Sequence, residues 1–221
     1  MLNRFAYAGW VVAVCASFVN TVGAQTSTER ITLDAARTAL GSPGPGKKIG
    51  DIDLTGFGFA RELEIGAGIR VIAISTNDGG GLAAFRPDGS SIQTLRTDKI
   101  TWLQLFDLNE DSVSEIVTEE VNGRGTGVLQ KSFNVYAVSS HGIKSVWHAE
   151  SYSLDANFKE VNSHGSVKER IGYLRFDPSG FGQPARMTYL LALPTGVVLK
   201  RGSYEMRGET VVEVSGKRAR Q

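Results

Sequence analysis

Cysteine is almost missing from this chain: among 221 residues there is one, Cys15. It sits in an apolar stretch near the start, so the remainder can build neither a disulfide framework nor a thiolate metal site. Charge of one sign is missing too, with 24 Lys and Arg against 23 Asp and Glu. That balance gives no electrostatic case for binding nucleic acid or an anionic membrane surface. No apolar run reaches the roughly 20 residues that a membrane-spanning helix needs. After residue 40 no long segment keeps a 3.6-residue hydrophobic period, which points away from helices and toward an all-β or nearly all-β main domain. The Gly-x-Ser-x-Gly elbow of serine hydrolases does not occur, and no histidine is placed to serve a serine nucleophile.

What is plentiful is glycine, 26 residues of it, as many tight turns between short strands require. The first 24 residues read as a secretory signal peptide: Arg4 supplies a positive start, Phe5 to Val19 is mostly apolar, and Val22-Gly23-Ala24 offers small residues before Gln25. A lipid anchor at Cys15 fits less well, because Val14 is bulky where that cleavage wants a small residue. Cleavage after Ala24 removes the cysteine and Arg4, leaves equal numbers of acidic and basic residues, and leaves no membrane-spanning segment in the mature chain. The expected location is therefore periplasmic or secreted.

Residues 25–48 form a lead-in. Asp34 can cap about two helical turns running to Leu40, and Gly41-Ser-Pro-Gly-Pro-Gly46 begins a linker over 41–48. A β-repeat domain over 49–216 follows, and a basic tail, 217–221, closes the chain. Within the domain, Arg70–Ser75 is rich in β-branched residues. Hairpins are expected around Pro87-Asp-Gly-Ser90, around Ser139-Ser-His-Gly142 and around Pro194-Thr-Gly196. Ile92 and Leu95 break strict alternation and leave the register of the first hairpin open. Thr210–Val214 ends the series as a further strand. The polar stretch from Glu150 to Arg170 lacks a clear period and reads either as an inserted recognition loop or as a longer strand pair.

The most informative stretch runs from Trp102 to Val117: strand, acidic loop, strand. The loop sets Asp107, Asn109, Asp111 and Glu115 at relative positions 1, 3, 5 and 9, with the Val113 carbonyl at position 7. Oxygen donors on alternate residues of a turn point inward together, as a hard cation such as Ca²⁺ requires. The alternative is a hydrogen-bonded turn with solvated carboxylates. A saturated oxygen cage would in either case serve structure and not Lewis-acid chemistry.

The loop has two worn copies. Ile52-Asp-Leu-Thr-Gly-Phe-Gly58, Phe106-Asp-Leu-Asn-Glu-Asp-Ser112 and Phe176-Asp-Pro-Ser-Gly-Phe-Gly182 follow one pattern, their Asp residues 54 and 70 positions apart. The middle copy, followed by Phe133-Asn-Val-Tyr-Ala-Val138 and a Gly-centred hairpin, resembles the FG-GAP/VCBS repeats, the calcium-loop β-propeller blades of integrin α chains and of many bacterial exported proteins. The resemblance implies one structural Ca²⁺ on Asp107, Asn109, Asp111, Glu115 and the Val113 carbonyl. Ser112 stands where the family has a turn glycine, and Glu115 is longer than the usual Asp. In the outer copies Phe57 and Phe181 take position 5 while Arg61 and Ala185 take position 9, so no metal is expected there. Asp53 and Asp177 are expected to close Asx turns instead. A propeller needs four or more blades. Three loops leave a small ring, an open array or a curved β-sandwich as the candidate architectures, and an unclosed array would expose edges that invite a partner or another copy.

Other candidate chemistry is thin. Gly123-Arg-Gly-Thr-Gly127 leads into a strand and not into the helix a phosphate loop needs. His141, His148 and His164 are scattered, and Glu119 and Glu120 are neighbours on one strand, facing opposite sides. No catalytic residue and no organic cofactor is assigned. The expected function is a non-enzymatic module that recognises an envelope or extracellular protein, or a glycan. The competing expectation is a periplasmic or secreted hydrolase on a propeller-like scaffold.

Overall fold

The computed structural model describes residues 58–77, 79–125, 127–156, 168–177 and 185–214. The leader, the lead-in helix and linker, the first loop copy at Asp53, His164 and the basic tail lie outside the described residues, as does most of the third loop copy beyond Asp177. Within them the chain is all-β, and no helix is long and apolar enough to cross a membrane.

The strands are β1 (Phe59–Gly66), β2 (Ile69–Thr76), β3 (Gly79–Phe85), β4 (Ser91–Thr97), β5 (Lys99–Phe106), β6 (Glu115–Gly125), β7 (Val128–Ser139), β8 (Gly142–Asp155), β9 (Lys168–Asp177), β10 (Arg186–Ala192), β11 (Val198–Arg207) and β12 (Thr210–Glu213). They form two antiparallel meanders, β1-β2-β3-β4 and β12-β11-β10-β9-β8-β7-β6-β5. Neither sheet closes on itself. Within each sheet every strand pairs with its sequence neighbours, and the chain passes from one sheet to the other between β4 and β5, which only Asp98 separates.

Alternation along β6 and β7 places these strands at the centre. Ile116, Tyr136 and Val138 join Leu63, Val71, Leu82 and Ile100 in a core shared by the two sheets. Their neighbours Val117, Val135 and Ala137 face the other way and pack against Met187, Tyr189, Tyr204 and Met206, so β10 and β11 cover the far side of their own sheet. Trp147 meets both Tyr189 and Tyr204 edge-on in this second core, at centroid distances of 5.8 and 5.4 Å. β2 and β3 are likewise buried on both faces, with Ile72, Ile74, Ala83 and Phe85 forming a separate cluster. Burial on two sides explains why Arg70–Ser75 reads as a continuous apolar run.

The hairpins stand at the expected places. In the first, Gly89 takes a φ of 81° and donates to the Arg86 carbonyl, while Asp88 accepts from the Ser90 N–H. A bulge between Ala84 and Phe85 skips Ile92, which turns it onto the same core as Leu95 and accounts for the broken alternation. Of the 150–170 stretch, residues up to Asp155 and from Lys168 onward are a strand pair, with Tyr152 opposite Ile171. Residues 157–167 lie outside the described residues.

Candidate functional site

β5 and β6 present the acidic loop, and the loop is held by its own side chains. Asp107 accepts from the backbone N–H groups of Asp111 and Ser112 at 3.2 and 3.0 Å. Asn109 Oδ1 accepts from Asp111 N–H, and Asp111 Oδ1 accepts from Val113 N–H at 2.8 Å. The Asn109 amide donates to Asp111 Oδ2 and to the Gly208 carbonyl, tying the loop to the β11–β12 turn. Ser112 takes a φ of 67°, the left-handed conformation that a turn glycine would supply without strain.

Glu115 is different. It is 3% exposed, and its Oε2 accepts from Leu108 N–H at 2.8 Å. Burial pushes its carboxyl up to about 7. The Leu108 hydrogen bond opposes the shift, and the charges of Asp111 and Asp107 add to it. Three carboxylates and two further oxygens suit a hard cation by chemistry. Among the described residues, however, no three His, Cys, Asp or Glu side chains converge on one point.

The loop forms one wall of a cleft of about 360 Å³ at the end of the two sheets. Asn109, Asp111, Val113 and Glu115 line it, and Asp107 does not. The floor is apolar, built from Ile69, Ile92, Val138 and Met206, while Arg86, Ser139, Ser140 and Glu209 bring polar groups from three other turns. A small cleft with an apolar floor and a few polar groups is the usual form of a ligand site. Sequence reasoning identified the acidic wall but missed Arg86, Ser139, Ser140 and Glu209. The one available signal was that hairpin turns alternate between the two ends of a meander.

The β1–β2 turn presses directly on the loop. Gly66, at a φ of 110°, lies so close that a Cβ there would sit 2.2 Å from the Ser112 carbonyl oxygen, and Ser114 N–H donates to the Ile65 carbonyl at 2.7 Å. The corner at Asp177 lies beside the one at Asp107: the rings of Phe106 and Phe176 stack at 4.0 Å, and Ala185 N–H donates to the Leu108 carbonyl.

The other candidates stay apart. His141 and His148 are exposed, on the β7–β8 turn and on β8. Gly123 to Gly127 belongs to the β6–β7 hairpin. Glu119 and Glu120 do face opposite sides: Glu119 bonds Thr101 and Lys131, while Glu120 is buried and accepts from Thr118 and Tyr136. Comparisons with protein-family models, with curated proteins and with solved structures return no match to this chain.

Proposed function

We propose that the chain is an exported, non-enzymatic β-repeat module that recognises a protein or a glycan in the cell envelope or outside it. The observation that carries this reading is the commitment of the cleft's acidic wall. Both oxygens of Asp111 and Oε2 of Glu115 already hold loop N–H groups. Carboxylates occupied in this way shape a surface and are poorly placed to pass protons to a substrate. Export is supported by the leader-like first 24 residues. The architecture that fits best is a curved sandwich of two open sheets related to the FG-GAP/VCBS repeats, and the stacked Phe106 and Phe176 corners support that kinship. One structural Ca²⁺ would be held by Asp107, Asn109, Asp111, Glu115 and the Val113 carbonyl, once the side chains draw together around it.

The hydrolase alternative rests on one feature, a Glu115 carboxyl at about 7 beside Asp111. Affinity capture from native envelope separates the two readings. Wild type should retain a partner that Ser140→Trp, which fills the cleft, releases. Turnover of a glycoside, ester or phosphodiester substrate that is abolished by Glu115→Gln would establish the hydrolase instead.

A further inference from the structure

The cleft at the end of the two sheets carries an uneven charge. Asp111, Glu115 and Glu209 line it against a single cation, Arg86. Arg86 itself reaches back along its own hairpin, its Nη1 3.4 Å from Ser90 Oγ and from the Ser91 carbonyl. The three carboxylates stand on two turns that are tied together, because the Asn109 amide donates to the Gly208 carbonyl next to Glu209. Each Asp111 oxygen is fixed by one donor, from Asn109 or from Val113, and keeps a second lone pair. Glu115 is 3% exposed, and its Oε2 takes the Leu108 N–H. Among the described residues no other residue donates to its Oε1. A buried oxygen without a donor is costly, and a cationic donor relieves that cost best. Ile92, Val138 and Met206 supply apolar surface beside these groups, and no aromatic side chain lines the cleft.

We infer that the cleft receives a basic side chain, lysine or arginine, from a protein partner. Its aliphatic stem lies on the apolar floor and its charged head meets Asp111, Glu115 and Glu209. Long basic side chains combine such a stem with such a head, and their hydrogen bonds to carboxylates are roughly twice as strong as neutral ones. Charge decides among the occupants. An acidic side chain would face three carboxylates. A neutral sugar brings no cation to Glu115 and finds no aromatic face to stack on. The chain's own Lys217, Arg218 and Arg220 come after β12, which starts beside Glu209 and carries the chain away from the cleft. This assignment rests on the recognition reading and chooses a protein for it.

The test uses immobilised nonapeptide pools, randomised except for a central Lys, Arg, Gln, Leu or Glu. They are probed with the mature full chain in chelator, so that calcium does not compete for the same oxygens. The Lys and Arg pools should retain the chain, less so as salt rises, and the Glu pool should not. Glu115→Gln keeps the side chain's shape and an oxygen for the Leu108 N–H, and it should lower retention about tenfold or more. Glu209→Lys, on an exposed turn, should lower it too and shift preference toward the Glu pool. Equal retention on all pools, retention on none, or retention indifferent to both variants would overturn the inference. So would displacement by chitosan oligosaccharide without any preference for the Lys and Arg pools, which would assign the cleft to an amino sugar. A dimer in sedimentation that Glu209→Lys dissolves, or retention that emerges only after deletion of residues 215–221, would also overturn it. An envelope partner that Ser140→Trp releases but Glu209→Lys and Glu115→Gln hold as wild type does would remove the basic side chain while leaving the recognition reading standing.

Discussion

Replacing Gly66 with alanine probes how the acidic loop is held. The residue's φ of 110° lies where an L side chain is strained, at a cost of about 1–2 kcal/mol. The new Cβ would also stand 2.2 Å from the Ser112 carbonyl oxygen and 3.2 Å from Val113 Cα, both backbone atoms that no rotamer change can move. Relief requires the loop to withdraw, which breaks the 2.7 Å bond from Ser114 N–H to the Ile65 carbonyl and forfeits about 1 kcal/mol. The sum is about 2–3 kcal/mol, or a fall in melting temperature of about 4–12 °C for a domain of this size. Gly89→Ala is the control: its φ is 81° and nothing lies within 4 Å of an added Cβ, so only the conformational cost of about 1–2 kcal/mol applies. Urea melts of both variants, followed by circular dichroism, read the difference directly. If Gly66→Ala costs no more than Gly89→Ala, the loop is not clamped by the β1–β2 turn and the cleft's wall is not fixed as described.

Further outcomes follow from the same structure. Calcium should raise the melting temperature of the wild type relative to chelator and leave Asp107→Ala unmoved; an equal response in both would separate calcium from this loop. Burial holds the Glu120 carboxyl above the usual range despite its bonds to Thr118, Tyr136 and the Asp98 N–H. The folded pKa exceeds the unfolded one, so Glu120's contribution is full below the unfolded value near 4.5 and fades as pH rises through the raised one. Glu120→Gln should therefore flatten the stability profile across that window, and a profile parallel to wild type would refute the assignment. Gly172→Ala would bring a Cβ within 2.2 Å of the Glu150 carbonyl oxygen, where β9 crosses close to β8; a loss of about 2 kcal/mol or more is expected in equilibrium unfolding.

Much of the fold was legible because buried strands declare themselves. β2, β6 and β7 carry apolar residues on both faces, and the turns at Gly89, Gly142 and Gly196, all with positive φ, carry the expected residues. β1 was hidden because Arg61, Glu62 and Glu64 are exposed on an edge strand, and of its residues Phe59, Leu63 and Ile65 reach the core. β9 was hidden because its pairing with β8 begins beyond residues that show no period. At the site, the spacing of Asp107, Asn109, Asp111 and Glu115 marked the loop, but the burial of Glu115 under the Leu108 N–H is a tertiary fact. The cleft itself joins turns as far apart as Ala67 and Glu209, and no local pattern encodes that meeting.

Recognition at the cleft is tested most directly by a photocrosslinking residue placed at Ser140 in the full chain and activated in intact envelope. The account predicts one dominant adduct with a protein or glycan, competed away by unlabelled wild type and absent when the crosslinker sits at Arg61 on the outer edge. No adduct from Ser140, together with catalytic turnover that depends on Glu115, would contradict it.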